Sequence, residues 1–151
     1  SGCRNHCEDC FNRATWDFNF GKPFTAEVEN EVLDSLKHSY ICGLTVLGGE
    51  PFEVENQAGV LALIKRVKEE FPKKTVWIYS GFTYEELLSG SRAATPTARE
   101  ILSLCDILVD GRFKKELKNI SLKFRGSENQ RIIDLKKTAA CGKVVLAEEY
   151  Y

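Results

Sequence analysis

Three cysteines crowd into the first ten residues, in the run Cys3-Arg4-Asn5-His6-Cys7-Glu8-Asp9-Cys10 with spacing C-x3-C-x2-C. Three thiolates on one short loop can hold three irons of a [4Fe–4S] cubane and leave the fourth iron without a protein ligand. An open iron suits direct binding of a substrate, whereas a fourth cysteine would suit electron transfer. Radical chemistry with an iron–sulfur cluster and S-adenosylmethionine (SAM) uses such a vacancy. The same spacing is compatible with a structural zinc bound by the three cysteines and His6 or a remote ligand. His6 itself reads as a solvated loop residue beside Cys7.

A second feature is Gly48-Gly49-Glu50-Pro51, at the end of a short apolar run. Glycines there let a ligand approach the backbone and expose peptide groups to it. Glu50 supplies a carboxylate at the rim, for an ammonium or for a structural pair. Taken alone, the stretch also reads as a plain strand-to-helix turn with Pro51 near the helix start. A zinc ribbon has no need of it, so the two features together favour cluster and SAM chemistry more than either does separately.

The elements that must position these residues alternate along the chain. Val28, Val32, Leu36 and Tyr40 recur at four-residue spacing behind a candidate N-cap at Thr25, predicting a helix over about 26–39. Gly43 to Leu47 predicts a buried strand. Val60, Leu63, Ile64, Val67 and Phe71 mark one face of a helix that Pro72 stops. Thr75 to Tyr79 predicts a strand ending at Ser80-Gly81. Capping boxes are predicted at Thr83 with Glu86 and at Thr97 with Glu100. Asp106 to Val109 predicts a further strand, closed by Asp110-Gly111. Strands separated by helices imply βα units and a mostly parallel sheet, whose ligands collect beyond the C-terminal strand ends. Gly48, Ser80 and Asp110 stand at those three ends. After Asp134 the pattern fades, although Val144 to Leu146 reads as a strand or a loose end.

Bulk properties set limits on function. A chain of 151 residues is one domain by length, with 43% hydrophobic and 28% charged residues. The net charge of −1 gives no electrostatic reason to expect nucleic acid or an anionic membrane surface. No apolar run approaches the roughly 20 residues of a membrane span. The six cysteines do not read as a disulfide framework, because Cys42, Cys105 and Cys141 lie alone and far apart. A reduced, cytoplasmic protein is expected. The chain opens on Ser1 without Met, so the natural N-terminal strand is expected to precede it.

The run from Ser1-Gly2-Cys3 through Cys10-Phe11-Asn12, with Thr15-Trp16, resembles the cluster loop of the activating proteins of anaerobic ribonucleoside-triphosphate reductase. The likeness continues in Gly48-Gly49-Glu50-Pro51, in Trp77 to Phe82, in Leu108 to Phe113, and in Phe124-Arg125-Gly126-Ser127-Glu128-Asn129-Gln130-Arg131. It covers residues 1 to about 134, and the last segment separates this family from other radical-SAM enzymes. The resemblance implies an α/β fold of radical-SAM type, a partial, open βα barrel with a mostly parallel sheet in one domain over residues 1–151. It leaves 135–151 as a tail of undefined structure. Many radical-SAM loops carry an aromatic residue just before the last cysteine; here Asp9 stands there and Phe11 follows.

The resemblance further implies that Cys3, Cys7 and Cys10 ligate a [4Fe–4S] cluster whose fourth iron is chelated by SAM. It places the SAM ammonium at the backbone of Gly48, Gly49 and Glu50, and the adenosine end against the backbone of Asp9, Cys10 and Phe11. Ser80 and Asp110 are further candidate contacts, and each also reads as a structural cap. Arg112 and Arg125 read as solvated residues or carboxylate binders. The implied activity is reductive cleavage of SAM, the deoxyadenosyl radical taking hydrogen from a glycine of the reductase large subunit. Reduced flavodoxin or ferredoxin is the implied electron donor. A radical-SAM enzyme acting on a small molecule, such as a deazapurine-forming synthase, and a non-catalytic structural-metal module are the alternatives.

Overall fold

Helix α1 (Ala26–Leu36) begins where the four-residue apolar spacing begins, with the Thr25 Oγ1 accepting from the Val28 N–H at 3.5 Å. The structure, a computed structural model, describes residues 1–151. Strand β1 (Gly43–Val46) leads into helix α2 (Val54–Glu70), and strand β2 (Thr75–Tyr79) into helices α3 (Tyr84–Leu88) and α4 (Pro96–Leu104). Strand β3 (Ile107–Asp110), strand β4 (Arg131–Asp134) and helix α5 (Leu135–Cys141) complete the order. No helix is long and apolar enough to cross a membrane.

The capping box at Thr83 and Glu86 forms as expected, each side chain bonding to the other's backbone N–H. The box expected at Thr97 and Glu100 does not. Pro96 occupies the first turn of α4, where its missing N–H costs nothing, and Thr95 caps the helix by accepting from the Ala98 N–H at 3.0 Å. Strand β3 runs one residue later than the apolar run suggested, taking in Asp110.

The sheet order is β1-β2-β3-β4, with the first two pairings parallel and the third antiparallel. This corrects the expectation of a mostly parallel barrel sheet. The fold is α/β, with a four-stranded mixed sheet and five helices. The link between β3 and β4 holds no crossover helix, only the single turn Lys115–Leu117, and a return without a crossover brings a strand back antiparallel. The tail is ordered into α5, capped by Asp134 accepting from the Lys137 N–H at 2.9 Å, and Leu146 bridges to Ile133.

Period-two alternation sorts the strand residues between two faces. Val76, Ile78, Leu108 and Ile133 are buried with Ile64 and Val67 of α2 and Ile101 and Leu102 of α4. Each such side chain contributes about 1.5–3 kcal/mol by leaving water. Ile107, Val109 and Ile132 face the other way, packed with Ala147 and the half-buried Trp77, Tyr79 and Tyr150. Because β1, β2 and β3 are parallel, their C-terminal ends lie together, and the cysteine loop sits beside them.

Candidate functional site

The cysteine loop reverses direction through three residues with positive φ: Gly2 (93°), His6 (47°) and Asp9 (57°). Left-handed backbone is uncommon for side chains other than Asn, Asp and His, which are the types favoured there after glycine. The loop is stitched into the fold by backbone bonds. Gly2 and Cys3 donate to the Thr15 and Trp16 carbonyls at 2.8 and 3.2 Å, and the Glu50 N–H donates to the Gly2 carbonyl at 2.8 Å. A Cβ on Gly49 would lie 2.5 Å from that same Gly2 oxygen, so the loop and the Gly48-Gly49 turn meet backbone to backbone.

Cys3, Cys7 and Cys10 line one cavity of about 180 Å³, walled by Gly48, Gly49, Gly81 and Phe113. No three His, Cys, Asp or Glu side chains converge closely enough to hold a single metal ion. A cubane takes each thiolate on a different iron, so its ligands need to surround a space rather than meet at a point. The exposed His6 ring stacks on Trp16 with centroids 4.5 Å apart.

Backbone N–H groups favour the thiolate at two of the cysteines. Burial pushes the Cys3 thiol up, and the N–H groups of Asn5 and His6 oppose this. Burial also pushes Cys7 up, opposed by the Arg112 guanidinium and by the Phe113 N–H. N–H groups directed at sulfur stabilise thiolate over thiol. Three thiols around a glycine-walled space, with backbone N–H groups favouring the thiolate at two of them, fit an iron–sulfur cluster. Gly48, at φ 133°, has nothing within 4 Å of where a Cβ would be, so a small ligand can approach its backbone from that side.

Glu50 is 1% exposed and accepts four hydrogen bonds. They come from Asn5 Nδ2 at 2.9 Å, the Phe52 N–H at 3.0 Å, Ser80 Oγ at 2.9 Å and the Gly81 N–H at 2.7 Å. Burial pushes its carboxyl above the usual carboxylate range, and the four donors act against that. Glu50 thereby joins the cysteine loop, the start of α2 and the end of β2 at one buried point.

Of the residues singled out from sequence, Phe11 and Ser80 also line the cavity with the cysteines, Gly48, Gly49 and Glu50. The Phe11 side chain is 95% exposed. Ser80 is buried, with its hydroxyl donating to Glu50 and accepting from the Phe82 N–H at 3.0 Å. Asp9 and Asp110 are not on the wall. The Asp9 carboxylate lies 3.2 Å from Lys115 Nζ. Asp110 is fully buried and accepts from the Tyr84 N–H at 2.7 Å and from Arg131 Nε and Nη2 at 3.0 and 2.5 Å. It joins the ends of three elements in the manner of a cap.

Asn5, Arg92, Phe113 and Gln130 were not singled out by pattern. Asn5 is buried, and its Oδ1 accepts from Arg112 Nη2 at 3.1 Å and Arg92 Nη2 at 3.5 Å. Arg92, in the loop between α3 and α4, forks onto the buried Glu53 with bonds of 2.7 and 3.1 Å. Arg4 meets the same carboxylate at 2.7 Å. A polar residue between two ligand cysteines was the only signal that could have drawn attention to Asn5. The remaining thiols are elsewhere: burial pushes Cys105 up to about 12, which leaves it inert, and Cys42 and Cys141 are exposed.

The family described as a 4Fe-4S single cluster domain matches residues 1–133. The chain is 40% identical over 134 residues to the anaerobic ribonucleoside-triphosphate reductase-activating protein of Pasteurella multocida, covering 87% of this chain and 82% of that one. It is 34% identical over 138 residues to the protein of that name from Escherichia coli, covering 90% and 85%. The corresponding protein of Enterobacteria phage T4 is 36% identical over 132 residues, covering 87% and 78%. No solved structure matches the chain. This chain thus carries a single-cluster iron–sulfur domain, and it belongs to the family of anaerobic ribonucleoside-triphosphate reductase-activating proteins.

Proposed function

We propose that this protein activates an anaerobic ribonucleoside-triphosphate reductase, with Cys3, Cys7 and Cys10 holding a [4Fe–4S] cluster that acts on SAM. The observation that carries this reading is the gathering of the three cysteines around one glycine-walled cavity, beside the C-terminal ends of β1, β2 and β3. Ligands of α/β sheets collect at that end. Held by these cysteines, the cluster would supply the one-electron reductive cleavage of SAM that lets hydrogen be taken from a glycine of the reductase.

The chain's own residues bind and orient. The backbone of Gly48 to Glu50, open at Gly48, would receive the SAM ammonium, and the peptide groups of Asp9 to Phe11 would lie along the adenosine. Glu50 and Ser80 hold the turn and the cysteine loop in register rather than reaching the ligand with free side chains, since their polar atoms are engaged with one another and with Asn5, Phe52, Gly81 and Phe82. Asp110 acts in the same indirect way.

We read residues 1–151 as one radical-SAM domain and the βα units of β1 to β3 as part of an open barrel. Its uncovered side leaves room for a protein loop to bring a glycine to the cavity. The electron comes from reduced flavodoxin or ferredoxin, in the cytoplasm, where thiols stay reduced.

The test is anaerobic reconstitution with iron and sulfide, followed by reduction and addition of SAM and the reductase. A glycyl-radical doublet in the EPR spectrum of the reductase is expected. SAM cleavage without any radical on the reductase overturns the choice of substrate; a colourless protein with no bound iron overturns the cluster.

A further inference from the structure

We propose that the segment after β3, Gly111 to Lys115, is a clamp on the cysteine loop that raises the reduction potential of the cluster, with Arg112 as its charged element. This rests on the reading of Cys3, Cys7 and Cys10 as cluster ligands. The segment meets the loop at more than one residue. Arg112 Nη2 donates to Asn5 Oδ1 at 3.1 Å. Phe113 lines the same cavity as Cys7. Lys115 Nζ lies 2.9 Å from Glu8 Oε1 and 3.2 Å from Asp9 Oδ2. Three loop residues, Asn5, Glu8 and Asp9, are thus engaged by Arg112 and Lys115, with Phe113 between them on the cavity wall.

The cations around the loop differ in what neutralises them. Arg4 is paired with Glu53 and Glu55, Arg92 with Glu53, and Lys115 with Glu8 and Asp9. Arg112 makes no ion pair. Its partner is a neutral amide, and that amide is fixed from behind by donating to the buried Glu50 at 2.9 Å. The guanidinium is therefore held on the loop between Cys3 and Cys7 without an ion-pair partner of its own, and its positive charge favours the Cys7 thiolate.

Reduction adds one electron, from an external one-electron reductant, and makes the cluster and its thiolates one unit more negative; no bond is made or broken. A nearby positive charge favours the more negative state, so it raises the potential. Arg112 is itself solvent-exposed, which screens part of its field.

The test is an EPR-monitored redox titration, with dithionite as reductant, of the anaerobically reconstituted full chain without SAM. Arg112→Gln is expected to hold on the order of tenfold less reduced cluster at a fixed potential, a downward shift of ~59 mV for one electron. Arg112→Lys, which keeps the charge, is expected to stay close to the parent protein. Lys118→Gln removes an exposed charge from the same loop and is expected to leave the potential unchanged. An unshifted Arg112→Gln, or an equal shift in Lys118→Gln, overturns the proposal. So does loss of iron from Arg112→Gln, which would make the contact structural. A parent protein that assembles no cluster overturns the functional reading instead.

Discussion

Asn5, set between two of the three loop cysteines, donates at 2.9 Å to the carboxylate of Glu50, forty-five residues along the chain. That bond ties the loop that offers sulfur to the turn that offers bare backbone. The relative position of the two halves of the site therefore depends on a carboxylate that no solvent reaches.

Replacing Glu50 with Gln removes an acceptor and turns an NH2 group toward buried donors. Unfolding by urea should show a loss of about 1–3 kcal/mol, the usual cost of leaving buried polar groups unsatisfied. A variant as stable as the parent would mean that the four bonds to Glu50 do not hold the turn.

Gly49→Ala places a methyl group against the Gly2 carbonyl, 2.5 Å from its oxygen. Backbone cannot yield as a flexible side chain does, so the loop must shift. Overpacking of this kind costs about 1–3 kcal/mol. Iron and sulfide content after reconstitution should fall together with the melting temperature.

Cys7→Ala should yield a colourless protein after reconstitution and abolish SAM cleavage, because its sulfur is one of only three in the cavity. Cys141→Ser, changed at an exposed thiol that does not line the cavity, should bind as much iron as the parent. Retained SAM cleavage in Cys7→Ala would sink its assignment as a ligand.

Stability should fall on acidification, and Glu53 should account for part of that fall. Burial pushes its carboxyl up, but the bonds from Arg92 and Arg4 outweigh this and hold it below the usual range. Glu55, bonded to Arg4, lies at about 2. Carboxyls lowered in the folded state contribute stability that is complete above their unfolded values, near 4.3 for Glu, and is lost as the pH drops through the folded ones. Denaturation curves at pH 7, 4 and 3 should converge for the parent and Glu53→Gln as the pH falls. Parallel curves would rule Glu53 out as a contributor.

What was legible in the sequence followed from local physics. Thr83 with Glu86 and the run Thr75–Tyr79 carry their signals within a few residues, and the structure forms both. Thr97 misled because its spacing to Glu100 imitates a capping box, while Pro96 shifts the helix start and leaves the cap to Thr95. Strand β4 is only four residues long and begins at Arg131, where a charged and polar stretch ends, and its antiparallel partner β3 is twenty residues away, so nothing local announced it. At the site, cysteines and glycines stood out because few other residues can do their work. Asn5, Arg92 and Phe113 are ordinary residue types whose contacts exist only once the loop, α2 and the end of β3 have met.

The three positive-φ residues of the cysteine loop bear on how the protein is made. His6 and Asp9 hold a backbone that side chains seldom adopt, and the bonds that keep them there run to Trp16, Glu50 and Arg112, all later in the chain. On a ribosome the cysteine loop is made before Glu50 and Arg112. It can take its final shape only once β3 and Arg112 have been synthesised and docked. A cluster that needs the finished loop is accordingly expected to enter after that docking.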